Sequence, residues 1–184
     1  MQRILTFLFA FMLLASCGSS KKAKVVTKRD KQTSSSTSSA KSDNWSTNAE
    51  STSTADYSTI KKIIKEAESY RGTRYKYGGT TKKGMDCSGL VTTAFKSENI
   101  ALPRSTGEMS SYGDWIDLKE VKEGDLLFFA TSKNSRKVNH VGLVVDARPG
   151  FVQFIHSTTS AGVITSQLSE RYWYFAFVQA RRVM

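Results

Sequence analysis

One thiol and two imidazoles are the groups best suited to do chemistry in this chain. Cys87 stands in Asp86-Cys87-Ser88, at the head of an apolar pattern, and His140 and His156 lie far downstream. A thiol is mostly protonated at neutral pH, and its thiolate is the nucleophile. Two devices activate it: the partial positive charge at a helix N-terminus, and a neighbouring imidazole that takes the proton. A second imidazole could hold the first in the right tautomer. Other readings stand beside this one. A cysteine next to a helix is often a small apolar filler, and a histidine on a strand is often structural. The three side chains could also hold zinc, though their separation gives no close-spaced ligand pair. The charge balance, +11 overall, favours an anionic partner or simple solubility.

These groups must be brought together by elements that the hydropathy pattern outlines. Ser58 can cap a helix reaching Tyr70, with Ile60, Ile63, Ile64, Ala67 and Tyr70 on one face. The glycines of 71–79 mark a loop. A second helix begins near Asp86-Cys87-Ser88, buries Leu90, Val91, Ala94 and Phe95, and ends near Asn99. A short third helix follows Pro103, from Ser105 to Tyr112. The remainder reads as strands: Asp125 to Ala130, Val138 to Asp146, Phe151 to His156, Gly162 to Thr165 and Tyr172 to Arg182. Helices first and strands later predict an α+β fold, N-terminal helices packed on an antiparallel β-sheet. Adjacent strands would set His140 beside His156, and the second helix would present Cys87 to them.

The N-terminal third is of another kind. Arg3 precedes the apolar run Ile4 to Ala15, too short to span a bilayer, which ends in Leu14-Ala15-Ser16-Cys17. Residues 1–16 read as a signal peptide, and the cysteine after the cut resembles the acylated residue of bacterial lipoproteins. Residues 17–56 are rich in Ser, Thr and Lys and too poor in apolar groups to fold, so a disordered linker is expected. Trp45 is an isolated aromatic within it. A chain of that length has an end-to-end distance of roughly 35 Å and would act as a tether. Residues 57–184 suffice for one domain. If Cys17 is lipidated, Cys87 has no partner in an oxidising compartment, which suggests a reactive thiol. Export also speaks against nucleic acid as the anionic partner.

Several segments together resemble the NlpC family of cell-wall cysteine peptidases. They are Gly72-Thr73-Arg74-Tyr75-Lys76-Tyr77-Gly78-Gly79, Gly84-Met85-Asp86-Cys87-Ser88-Gly89-Leu90-Val91, Leu102-Pro103-Arg104-Ser105-Thr106, Gly124-Asp125-Leu126-Leu127-Phe128-Phe129, His140-Val141-Gly142-Leu143-Val144 and Phe154-Ile155-His156-Ser157. The resemblance implies a papain-like α+β fold and hydrolysis of amide bonds in peptidoglycan stem peptides, either the D-glutamyl–diamino acid bond or the cross-link between stems. It implies Cys87 as nucleophile, His140 as base and His156 as the group that orients His140. It sets Tyr75 where a hydroxyl can meet the oxyanion, and Asp86 and Ser88 where some members contact a stem amine. No metal or organic cofactor is implied. Members with an extra N-terminal barrel domain require a free stem end. This chain has a linker there, so an open groove is possible. Two competing readings are a non-catalytic wall-binding lipoprotein and a thiol acyltransferase. The order Cys87, His140, His156 speaks against the latter, whose relatives place histidine first. The expected setting is the cell envelope, with a monomer anchored through Cys17 to the outer membrane and facing the periplasm.

Overall fold

The computed structural model describes residues 47–184, with side chains from Asp56 onward. The expected signal peptide, Cys17 and Trp45 lie outside the described residues. The first helix, α1 (Thr47–Glu68), starts well before the expected Ser58 and so enters the segment read as linker. No glycine or proline interrupts residues 47–70, so nothing in the backbone stops the helix from extending upstream. Ile63, Ile64 and Ala67 form its buried face as the spacing predicted.

A two-stranded ribbon, β1 (Thr80–Thr81) with β2 (Gly84–Met85), leads into α2 (Cys87–Lys96). Strands this short leave no legible alternation, and the sequence pattern missed them. Asp86 caps α2 by accepting the Gly89 N–H at 2.6 Å, which satisfies one of the donors a helix start leaves open. Leu90, Val91, Ala94 and Phe95 are the buried face. Each of the larger ones contributes roughly 1.5–3 kcal/mol by leaving water. Past the helix end, Asn99 takes a left-handed φ of 61°, which asparagine tolerates better than most residues. The third helix is a single turn, α3 (Thr106–Met109), capped by Ser105.

The main sheet has six antiparallel strands. They are β3 (Asp114–Ile116), β4 (Leu126–Phe129), β5 (His140–Arg148), β6 (Phe151–Thr158), β7 (Gly162–Gln167) and β8 (Phe177–Arg182), in the spatial order β3-β8-β4-β5-β6-β7. A 3₁₀ turn, Leu118–Glu120, leads toward β4. The last strand is shorter than the expected Tyr172–Arg182, because Arg171–Ala176 forms a helix, α4. Trp173 and Ala176 are its buried residues, three apart. A strand would have alternated Tyr172, Tyr174 and Ala176 instead, and Tyr172 and Tyr174 are exposed.

The alternation of side chains divides the core in two. Leu126, Phe128, Val141, Leu143, Val145 and Ile155 point to the face covered by α1 and α2. Leu127, Phe129, Val144, Phe154 and Ala180 point to the opposite face, where Trp173 and Ala176 of α4 pack.

Candidate active site

Cys87 is the first residue of α2 and is buried, with 8% of its surface exposed. Its sulfur lies 3.7 Å from the Thr106 hydroxyl, and the backbone N–H groups of Val141 and Ser88 favour its thiolate form. Cys87 and His140, the first residue of β5, line the same cleft. Gly89 makes the placement possible: a methyl group there would fall 2.1 Å from the Gly79 carbonyl oxygen, so only glycine lets α2 seat against the 71–79 loop. Burial pushes the Cys87 thiol pKa up. The Thr106 and Val141 contacts work in the other direction without overcoming it, and the Asp86 charge adds to the rise. Burial thus outweighs the contacts that favour the thiolate.

The imidazoles occupy the other face of the sheet. His140 Nε2 and His156 Nδ1 lie 2.9 Å apart, and both rings are buried, with 9% and 0% exposed. The two residues do not stand directly opposite one another. Gly142 lies between His140 and the body of β5, and its missing side chain leaves room for the Phe154 ring, whose Cδ2 would meet an added methyl at 2.4 Å. Trp173 stacks on His140 at 5.3 Å and meets His156 edge-on at 4.6 Å. His156 Nε2 in turn lies 3.1 Å from the Ser166 hydroxyl. Burial lowers the His140 pKa to about 4. Burial, aided by His140 itself, lowers that of His156 to about 3. Both rings are thus neutral at physiological pH. Because His156 takes His140 Nε2, Nδ1 is the nitrogen left to meet the thiol. The close N···N approach also fits poorly with zinc, since two imidazoles on one tetrahedral ion place their nitrogens roughly 3.3 Å apart.

Two clefts meet at Cys87. One, about 570 Å³, is lined by Tyr75, Cys87, Asn139, His140, Ser166, Tyr172 and Trp173 among others. The second, about 490 Å³, is lined by Tyr75, Tyr77, Asp86, Cys87, Ser88, Arg104, Thr106 and Asn139 among others. Tyr75, Cys87 and Asn139 border both, so the thiol sits midway along a groove suited to an extended chain. Burial, then the charges of Cys87 and Asp86, raise the Tyr75 pKa, which keeps its phenol protonated and able to donate. Asn139 accepts from the backbone and hydroxyl of Thr131 and donates to Ser132, tying down the loop that borders the groove.

Asp86 and Ser88 line the second cleft, but neither is free. Arg104 holds Asp86 with both terminal nitrogens, at 3.1 and 2.8 Å, and donates to Ser88 Oγ at 2.7 Å. Asp86 also accepts from Gly78 N–H at 2.7 Å. Burial pushes the Asp86 carboxyl up, but Arg104 and the Gly89 and Gly78 N–H groups together outweigh it and hold the pKa below the usual range. Sequence reasoning set Arg104 aside and did not find Ser166 or Trp173. The Arg104 signal was present, a cation within a matching segment. Ser166 was missed because its strand was ended at Thr165, one residue early. Trp173 was missed because its helix was read as a strand.

Comparison with known proteins gives the same outline. The sequence profile of the NlpC/P60 family matches residues 72–182. The chain is 46% identical over 114 residues to a probable endopeptidase NlpC homolog of Haemophilus influenzae, covering 61% of this chain and 57% of that protein. It is 39% identical over 124 residues to the murein DD-endopeptidase MepS/murein LD-carboxypeptidase of Escherichia coli, covering 67% and 62%. The chain thus spans about three fifths of the length of these relatives. Among solved structures, an NlpC/P60 family protein of Bacillus cereus superposes with a TM-score of 0.61 at 30% identity, covering 67% of this chain and 40% of that one.

Proposed function

Since the chain belongs to the NlpC/P60 family, we propose that it is a cysteine peptidase that hydrolyses amide bonds in the peptide stems of peptidoglycan. The observation that carries this reading is the pairing of a groove-centred thiol with a neutral, hydrogen-bonded imidazole pair at the same strand end. His140 Nδ1 takes the Cys87 proton as sulfur attacks the carbonyl. Tyr75 and the N–H groups at the start of α2 are the donors for the oxyanion. His140 then returns the proton to the leaving amine, and water releases the acyl-enzyme through the same base. The relatives named for endopeptidase and murein DD-endopeptidase activity support the substrate class.

The finer reading is that the bond cut is the cross-link between stems, without need of a free stem N-terminus. Arg104 supports it. A stem ammonium seeking Asp86 and Ser88 would have to displace a bidentate ion pair already in place. On sequence grounds alone, the proposal extends to a monomer tethered through Cys17 to the outer membrane, facing the periplasm.

The test is digestion of purified peptidoglycan by the protein and by its Cys87→Ala variant, with products read by mass spectrometry. New stem fragments from the wild type alone are expected, and masses matching separated cross-links would identify the bond. Silence from both proteins on intact wall and on free stem peptides would sink the reading and leave a wall-binding role. Products that all require a free stem amine would overturn the cross-link assignment while keeping the peptidase.

A further inference from the structure

The imidazole pair does not end at His156. Its outer nitrogen, Nε2, lies 3.1 Å from Ser166 Oγ, and His156, with none of its surface exposed, is sealed beneath Trp173 and Phe154. Ser166 is itself buried, with 7% exposed, and reaches the site from the edge strand β7, where it pairs with Phe154. No other hydrogen-bond partner of the His156 ring is seen among the described residues.

Proton bookkeeping along this chain gives the hydroxyl a task. For His140 to act as a base, Nδ1 must be bare, so its proton must sit on Nε2 and be donated to His156 Nδ1. His156 must then carry its own proton on Nε2, where Ser166 Oγ is the acceptor. The demand becomes strict once His140 has taken the thiol proton. An imidazolium has N–H on both nitrogens, so the bond between the rings can run only from His140 to His156. The reverse arrangement places His140's proton on Nδ1, facing the thiol, and disables the base.

We propose that Ser166 is a positioning residue that fixes the direction of the His140–His156 hydrogen bond and so keeps His140 Nδ1 free to receive the Cys87 proton. Without an oxygen at this place, the Nε2 proton of His156 is a buried donor with no acceptor. The ring then prefers its other tautomer, and the preference passes to His140. A hydroxyl suits the place better than a carboxylate. It accepts the proton without adding a buried charge, and it can turn to donate when the rings reset between steps. The proposal rests on His140 being the base, as in the functional reading above, but it does not depend on which bond is cut.

The experiment compares the wild type with Ser166→Ala and Ser166→Thr in two measurements that need no peptidoglycan. The first is the rate at which iodoacetamide alkylates Cys87 near neutral pH, where the S–C bond forms, iodide leaves and the thiol proton passes to His140. The second is the ¹⁵N chemical shifts of the four imidazole nitrogens, which report which nitrogen carries each proton. Ser166→Ala is expected to alkylate roughly 10- to 100-fold more slowly, with the His140 proton moved from Nε2 to Nδ1. Ser166→Thr, which keeps the oxygen, is expected to restore both. A wild-type alkylation rate in Ser166→Ala would overturn the proposal. So would a slowed rate with both tautomers unchanged, which would mark Ser166 as packing only. If the wild type fails to cleave peptidoglycan while these results hold, the functional reading falls and the positioning role of Ser166 stands.

Discussion

The resting protonation of the site can be tested through stability. Stability depends on pH wherever the folded and unfolded chains bind different numbers of protons. In this structure both histidines are held neutral, with pKa values of about 4 and about 3, against 6.5 for a free imidazole. Folded-state values below the unfolded one mean that stability is complete above pH 6.5 and is lost as the pH falls toward the folded values. In that window the unfolded chain binds protons that the native protein refuses. Between about pH 7.5 and about pH 5 each imidazole removes roughly 2 kcal/mol, so the pair removes roughly 4. Side-chain carboxylates stay largely ionised in both states over this range, so the histidines dominate the slope. Urea unfolding followed by tryptophan fluorescence at several pH values measures it. His156→Asn is expected to lower stability throughout but to halve the pH dependence. Imidazole NMR titration of the wild type gives an independent reading should that variant not fold. A wild-type stability that stays flat, or rises, as the pH drops to about 5 would refute the argument. It would mean that the folded imidazoles take up protons over the same range as the unfolded chain.

Other outcomes follow from the packing and charges. Because burial raises the Cys87 pKa above its ordinary 9.0, its alkylation rate should still be climbing at about pH 9, and a rate that no longer rises there would contradict the buried thiol. Gly142→Ala sets a methyl 2.4 Å from Phe154 Cδ2, so the ring and the adjoining His156 must move. A loss of about 1–3 kcal/mol in urea unfolding and a fall in kcat larger than any rise in KM are expected. Arg182→Met strips Asp125, 2% exposed, of the guanidinium that meets both its oxygens at 2.8 Å. The buried carboxylate, left with only the Lys122 N–H as a partner among the described residues, should cost about 3 kcal/mol in urea unfolding at neutral pH, with little effect on kcat, since the pair lies away from the groove. Arg104→Gln should raise the relative rate on stem peptides with a free N-terminus, read by competition between capped and uncapped peptides, because it frees Asp86 to meet an ammonium.

What the sequence made legible follows from physical range. The thiol at a helix start was readable because Asp86, Cys87 and the apolar spacing of Leu90, Val91, Ala94 and Phe95 are all local. The two histidines were readable as a pair because long apolar runs mark β5 and β6. Elements of two or three residues, such as β1, β2 and β3, are too short to carry a pattern of their own, and β3 is held by its pairing with the distant β8. The helix α4 was hidden by composition. A window of Tyr, Trp and Phe has strand propensity, and the contact that overrides it, Trp173 against His140, His156 and Phe129, is tertiary. Arg104 escaped for a related reason. Its charge was visible, but its partner eighteen positions earlier was already assigned to a substrate, and only the fold brings the two together.

The division of the core in two bears on how this site can be tuned. Cys87 belongs to the core under α1 and α2. The imidazoles are packed by Phe129, Phe154 and Trp173 of the core on the opposite face. The two meet at the end of the sheet, where Cys87 and His140, the first residue of β5, line one cleft. Substitutions in one core should therefore act on one partner. A cavity at Leu90 would loosen the thiol's helix and leave the imidazole tautomers intact. A cavity at Trp173 would admit water to the rings, raise their pKa values toward 6.5 and leave the thiol's helix in place. The thiol and the imidazoles are each fastened to a different hydrophobic layer, and β5 contributes to both.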